Sequence, residues 1–374
     1  MGTRPDLLVV GGGLIGCGAA YELAKAGLTV AVVERGSPGC EASSAGAGML
    51  APQGESSAAG PWLSLALASK ALYPDLAAEL RDRTGVDVEY QTGGNLVCFL
   101  DEGDEAVGRA AHAWQVESGL KAELLGPEDA RRLEPDLSPE IRSALFLPED
   151  HWVNNPRLVA ALAQAATLEG VEFIQAEVGG LLRRGDRVVG ISTAVSNLMA
   201  GGVLLAAGAW SGQLAATAGL TLPVVPVRGQ LLALEGIPRR LHHLLHLKEH
   251  YLVPRANGEI LVGSCMEWVG FVKQVTAEQV QAFLEAAIRL VPRLGSLPIK
   301  AAWAGFRPWA PDGRPVIGPW PGVEGLFVAT GHGRNGILLT PITARLVREL
   351  IVDGNPSLDP APYSPDRFAT SPQT

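Results

Sequence analysis

The 374-residue sequence predicts an α/β fold with an α+β part, and three observations carry that prediction. A four-residue apolar run, 7–10, ends in a glycine-rich turn and is followed by a helical pattern. A second apolar run, 28–33, ends in an acid. Further on, apolar runs with strand alternation cluster at 86–100 and 224–263, away from the first unit in sequence. The first two features describe a Rossmann-like dinucleotide-binding domain, and the third describes an antiparallel-sheet domain interleaved with it.

The glycines of the first turn are Gly11, Gly13 and Gly16, in G-x-G-x-x-G spacing. Gly11 permits a tight turn. Gly13 has no side chain to keep a pyrophosphate from the backbone. Gly16 lets the helix pack close to the strand, and the helix N-terminus faces the phosphates. Glu34 stands eighteen residues past Gly16, at the end of the second strand, where a carboxylate accepts hydrogen bonds from ribose hydroxyls. A glycine-rich turn that binds nothing does not account for Glu34.

Composition sets the outer bounds. Hydrophobic residues make up 47% and charged residues 18%, enough for a large core and against global disorder. The net charge of −9 disfavours a nucleic-acid surface. Cys17, Cys40, Cys98 and Cys265 show neither metal spacing nor a paired pattern and read as reduced thiols of a cytoplasmic protein. No apolar run approaches the roughly 20 residues that span a bilayer, so no membrane partner is expected.

In chain order, the small-residue stretch 39–50 lets backbone pass close to a flat or charged ligand. Ser43 and Ser44 offer hydroxyls to a phosphate, and Met49 offers a soft wall, although a plain loop fits the stretch equally well. Residues 58–83 read as one long helix with a break near Pro74. Residues 86–100 read as a hairpin around TGGN at 92–95, and 105–137 as helical. A helix from Asn155 with Pro156 in its first turn precedes strands at 171–174, 179–183 and 187–192. The strand from Gly202 breaks at Gly208, where the chain turns away beside a bound dinucleotide, unless it is an ordinary core strand. His242, His243, His246 and His250 lack the helical pairing of a metal site and read as loop or edge groups, so no metal is expected. A helix at 276–290 takes Thr276 as its N-cap. Near the C-terminus, a strand at 326–329, a turn at 330–336 and a helix at 337–351 repeat the strand–turn–helix unit. The N-terminus of that helix suits negative charge.

Taken in order, GGGLIG at 11–16, Glu34, SSAGAGML at 43–50, LLAAGAWS at 204–211, YLVPR at 251–255, GFRP at 305–308, DGRPVIGP at 312–319 and GHGRNGILLTP at 331–341 resemble the D-amino-acid-oxidase-like flavoproteins. The pair GFRP and GHGRNGILL points to the glycine and sarcosine oxidase side of that family. The resemblance implies noncovalent FAD. It places the adenine ribose on Glu34 and Arg35, and the phosphates at Leu14, Ile15, Ala42 and Ser43. Ala47, Gly48 and Met49 fall beside the isoalloxazine and Val178 at the adenine. His332, Gly333, Arg334, Asn335, Gly336, Ile337 and Leu338 wrap the pyrimidine edge.

The resemblance further implies that Arg307 grips the substrate carboxylate, which suits a guanidinium fork, and that Arg334, Tyr251 and Met266 lie on the substrate side. From residue type alone, Tyr251 fits core packing as well as hydrogen bonding, and Arg334 fits a flavin-edge contact as well as a substrate contact. Glu249 stands where the family pattern has a histidine, which places an acid near the pocket.

The implied reaction is oxidation of glycine or a similar small amine, such as sarcosine or a small D-amino acid. It gives an imine, then a 2-oxo acid and ammonia, with molecular oxygen as the acceptor. In the family this feeds the thiazole half of thiamine. The alternative is a D-amino-acid or proline-type dehydrogenase with another acceptor. A homotetramer is implied. The expected domains are 1–85, 151–225 and 304–365 around the dinucleotide, 86–150 and 226–303 around the substrate, and a tail at 366–374.

Overall fold

The computed structural model describes residues 4–236 and 241–368. One six-stranded sheet runs in the order Val316–Pro319, Leu326–Thr330, Gly202–Leu205, Leu7–Val10, Val30–Glu34, Glu172–Gln175. All neighbours are parallel except the pair at the Val316–Pro319 edge. Every residue of Leu7–Val10 is buried because both faces of the sheet are covered. On one face the helix Leu14–Lys25 packs against Asn155–Leu168 and Thr340–Arg348, with Tyr21, Leu23, Leu158 and Leu346 fully enclosed. On the other, Leu8 and Val10 meet Leu181, Val188 and Ile191 of a three-stranded antiparallel sheet, Val178–Arg184, Arg187–Thr193 and Asn197–Met199.

The second sheet has eight strands, in the order Ile299–Trp309, Val225–Leu234, Ile260–Gly263, His250–Pro254, Leu244–Leu247, Asn95–Phe99, Ser143–Leu147, Glu123–Leu125. Only the contact of Leu244–Leu247 with Asn95–Phe99 is parallel. Alternation divides its faces. Leu232 and Leu234 pack under the helix Ala277–Leu290 with Phe283, whereas Leu231 and Ala233 join Tyr251, Val253, Trp152 and Ala47 on the opposite side. The edge strand Ile299–Trp309 runs unbroken through the expected domain limit at 303/304. Of the expected tail, residues 366–368 are described. They close the 3₁₀ turn Pro365–Phe368, where Arg367 pairs with Asp312 at 2.8 Å.

Several elements differ from the sequence expectation. Residues 58–83 form two helices, Pro61–Ala71 and Tyr73–Thr84, because Pro74 has no N–H to continue the first. No hairpin forms at 86–100. Gln91 bridges to Trp152 instead, and Asn95–Phe99 pairs with Ser143–Leu147 and Leu244–Leu247. The 105–137 segment contains the strand Glu123–Leu125 between the helices Glu102–Glu117 and Pro127–Leu133. Thr276 sits at the N-cap, but its hydroxyl accepts from Gln230 Nε2 at 3.2 Å rather than from its own helix. The last helix begins at Thr340, not at 337. Gly331 and Gly333 adopt φ of +73° and +56°, and Pro341 takes a first-turn position where no N–H is needed.

Candidate functional site

A cavity of about 500 Å³ runs from the glycine turn of the first sheet to the inner face of the second. At the turn, Gly11 holds φ +106°, and a Cβ there would lie 2.5 Å from the carbonyl oxygen of Ala206. A Cβ on Gly16 would lie 1.9 Å from the Gly11 carbonyl oxygen. The helix start is thereby pressed onto the strand end, and Gly16 does this from behind, since it does not line the cavity. Gly13, Leu14 and Ile15 line it.

Ser43 Oγ accepts the Leu14 N–H at 2.9 Å, which leaves its own proton to donate elsewhere. Glu34 accepts from the Gly12 N–H at 2.8 Å and the Gly36 N–H at 3.0 Å, which fixes the carboxylate at the cavity wall. Arg35 lies over the Trp210 ring at 3.9 Å and pairs with Glu41 at 2.9 Å. Ala42, Ser43, Val178 and Gly208 line this end, and Gly208, at φ +53°, turns the chain out of its strand. Ser44 lies outside the lining; its N–H is taken by the Gly39 carbonyl.

The other end gathers Ala47, Gly48, Met49, Tyr251, Arg307 and the turn residues His332, Gly333, Arg334, Asn335, Gly336 and Ile337. Arg307 sits on the edge strand opposite Val227, and the space for its guanidinium exists because Gly229 has no side chain: a Cβ there would lie 2.0 Å from Nη1. Arg307 donates from Nη1 to the Cys265 carbonyl at 2.9 Å and from Nη2 to Ser264 Oγ at 2.8 Å. Both acceptors are uncharged, so the positive charge of the fork remains available to an anion. Arg334 is different: Glu55 pairs with it at 2.9 Å and raises its already high pKa. His332 is buried, its Nε2 is 3.0 Å from Thr343 Oγ1, and burial pushes the imidazole down to about 3, so it is neutral. Tyr251 is 4% exposed and lines the cavity.

Besides Gly16 and Ser44, three expected positions fall outside the lining. Leu338 is fully buried in the core, with its carbonyl taken by Ser69 Oγ at 2.6 Å. Met266 lies outside the lining, where the chain leaves the second sheet toward the Arg228–Glu267 pair. Glu249, expected near the pocket, occupies the turn between Leu244–Leu247 and His250–Pro254 with its side chain 70% exposed. The histidines are also not uniformly loop or edge groups. His246 sits within the sheet directly opposite Tyr251, 8% exposed, and His250 packs on Phe283. Among the described residues, no cluster has the make-up of a metal site, and no helix is long and apolar enough to cross a membrane.

Sequence reasoning missed Glu55, Trp210 and Gly229. Trp210 lay inside a quoted motif, but nothing local signals that a distant arginine will cover its ring. Glu55 and Gly229 acquire meaning only from residues far along the chain, Arg334 and Arg307.

The chain matches the model of the FAD dependent oxidoreductase family, DAO, over residues 6–350. It is 41% identical to the glycine oxidase of Pseudomonas aeruginosa over 369 residues, 96% of this chain and 98% of that one. It is 37% identical over 379 residues to the bifunctional protein ThiO/ThiG of Synechocystis sp., covering 99% of this chain and 55% of that one. Its backbone superposes on the crystal structure of glycine oxidase from Geobacillus kaustophilus with a TM-score of 0.92 at 37% identity, over 96% of this chain and 98% of that one.

Proposed function

Because the chain belongs to the FAD-dependent oxidoreductase family, we propose that it oxidises glycine, or an amine acid close to it in size, to the imine. Water then converts the imine to the 2-oxo acid and ammonia. The residues fit FAD. Gly11 and Gly13 bring bare backbone to the cavity beside a helix N-terminus, where a Cβ on Gly13 would lie 3.0 Å from Ser43 Oγ. Glu34 offers an anchored carboxylate where a ribose would lie, and Met49 and Ala47 offer an apolar wall. In this reading Leu14, Ile15, Ala42 and Ser43 hold the phosphates, Arg35 and Val178 the adenosine, and 332–337 the pyrimidine edge. Bound FAD supplies the acceptor for the hydride that leaves Cα.

The protein supplies binding and orientation. The observation that carries the reading is Arg307, a cavity-lining guanidinium whose fixed partners are neutral. Its fork donates two charge-assisted hydrogen bonds to the substrate carboxylate, worth roughly 1.5–3 kcal/mol each. Tyr251 donates its hydroxyl to the same carboxylate. Arg334, already neutralised by Glu55, borders the substrate without adding net charge. Removal of the substrate nitrogen from water favours the neutral amine, whose nitrogen lone pair assists hydride departure while an N–H proton is released.

Oxygen is the proposed electron acceptor, reduced to hydrogen peroxide. The glycine oxidase relatives support glycine as substrate, and the fused ThiO/ThiG relative supports supply of the imine to the thiazole half of thiamine. We further propose noncovalent FAD, a cytoplasmic homotetramer, and two domains divided along the two sheets.

The test is anaerobic addition of glycine, sarcosine, D-alanine and D-proline to the yellow holoenzyme. Glycine should bleach the flavin fastest, and readmitted air should release peroxide in step with turnover. Bleaching by none of the four defeats the reading; bleaching without peroxide replaces oxygen with another acceptor.

A further inference from the structure

Asp150 lies outside the cavity and is completely buried. Its Oδ1 accepts the Gln53 N–H at 3.0 Å, and its Oδ2 accepts the Gly54 N–H at 2.9 Å and Asn95 Nδ2 at 3.1 Å. All three donors are neutral. Burial pushes the carboxyl up to about 7, and these three donors oppose that rise by favouring the ionised form.

Two arms leave this carboxylate. In the first, the Gln53–Gly54 backbone that it grips carries Glu55, whose carboxylate holds Arg334 at 2.9 Å. Gly54 has no room for a side chain here, since a Cβ would lie 2.7 Å from Asn95 Nδ2 and 2.9 Å from Asp150 Oδ2. In the second, Asn95 donates to Asp150 and therefore turns Oδ1 toward His246 Nδ1, 2.8 Å away. That acceptor fixes the proton on Nδ1. Burial holds the imidazole neutral, with its pKa pushed down to about 4. Its ring stands edge-on to Tyr251, with centroids 5.8 Å apart. Nε2 of His246 is buried and has no hydrogen-bond partner among the described residues.

We propose that Asp150 is a positioning residue for the substrate side of the cavity: through Gly54 it fixes Glu55 and hence Arg334, and through Asn95 and His246 it fixes the ring of Tyr251. The proposal rests on the reading that a small carboxylate binds between Arg307, Tyr251 and Arg334. It adds that two of these three groups take their places from one buried carboxylate that never touches the ligand. Asp150, Asn95 and His246 come from three different strands or turns, so a single contact point sets the spacing of groups that the chain delivers separately.

The test uses the FAD-loaded enzyme and two ligands: the amine that bleaches the wild-type flavin, and glycolate, a carboxylate of the same size without an amine. Glycolate binding is read from the flavin spectrum and does not depend on turnover. A failure of the glycine reading therefore appears in the wild type, separately from a failure of the relay. His246→Leu removes the donor to Asn95, and His246→Asn restores one near the place of Nδ1.

His246→Leu should weaken glycolate roughly tenfold and raise KM by a similar factor with kcat and FAD affinity little changed, the pattern of lost uniform binding. His246→Asn should recover most of the loss. Asp150→Asn should weaken glycolate further, and adding His246→Leu to it should cost less than in the wild type, because coupled residues are non-additive. Wild-type glycolate affinity in His246→Leu overturns the proposal, as does full additivity of the two substitutions. Should Asp150→Asn not fold, the pair of His246 variants decides by itself.

Discussion

The two ends of the cavity are built in different ways. At the glycine-turn end, the parts lie close in sequence: Gly11, Gly13, Gly16 and Glu34 fall on one strand–helix–strand unit, and Glu34 is held by the N–H groups of Gly12 and Gly36. At the other end, Glu55, Tyr251, Arg307 and Arg334 arrive on four separate segments; Glu55 and Arg334 hold each other, and Ser264 Oγ and the Cys265 carbonyl hold Arg307. The first end is a backbone site whose geometry follows from steric limits on glycine. The second is a side-chain site whose geometry follows from packing. Errors at the first end should therefore remove the cofactor, and errors at the second should spare the cofactor and weaken the substrate.

Gly11→Val is the severest break. It combines a disfavoured φ with a Cβ 2.5 Å from the Ala206 carbonyl oxygen, so a loss of ~3–5 kcal/mol is expected. The purified variant should carry no FAD and melt well below wild type; retained yellow colour would separate cofactor binding from this turn. Arg307→Ala comes next. Loss of two charge-assisted hydrogen bonds should raise the glycine KM by ~100-fold or more with FAD content unchanged. Arg307→Lys should recover only part, since an ammonium cannot match the fork. Steady-state kinetics with flavin quantitation checks both, and an unchanged KM would remove the clamp.

A third prediction concerns the segment leaving the second sheet. Arg228, 5% exposed, donates from Nε and Nη2 to the two oxygens of Glu267 at 2.9 and 2.7 Å, and these bonds hold the Glu267 carboxyl down at about 2. Glu267→Leu leaves that arginine buried without its partner, at a cost of ~3 kcal/mol. The folded pKa lies below the ordinary 4.5, so the wild-type advantage is complete above pH 4.5 and disappears as pH falls toward 2. Melting curves of both proteins across that window test the sign. The smallest effect is expected for Glu34→Gln. It replaces one of two accepting oxygens with an N–H donor facing the backbone and should weaken FAD by ~10-fold, or ~1.4 kcal/mol. A wild-type dissociation constant measured by flavin fluorescence would make Glu34 dispensable.

How far each end was legible follows from the same contrast. The strand Leu7–Val10, the helix Leu14–Lys25 and the acid at Glu34 were read within a residue or two, because period and glycine spacing are local signals. The helix break at Leu72 was foreseen only as a break near Pro74 within one helix. The hairpin expected around 92–95 failed because alternation identifies a strand without identifying its partner; here the partners are 143–147 and 244–247. The family pattern, with a histidine at this position, put Glu249 near the pocket, yet the turn between two strands carries it outward and leaves His246, on the neighbouring strand, beside Tyr251.

The order of amino acids by itself determined where strands, glycine turns and helix starts occur, and which residues have the chemistry to grip a dinucleotide or a carboxylate, since these depend on neighbours within a few bonds. Only the tertiary structure decided which charges are already matched. Arg307 and Arg334 are the same residue type in equally suggestive motifs, yet Glu55 neutralises one while Ser264 and a carbonyl leave the other's charge open. Electrostatic pairing acts through space over a few ångströms, and separation along the chain carries no record of that distance.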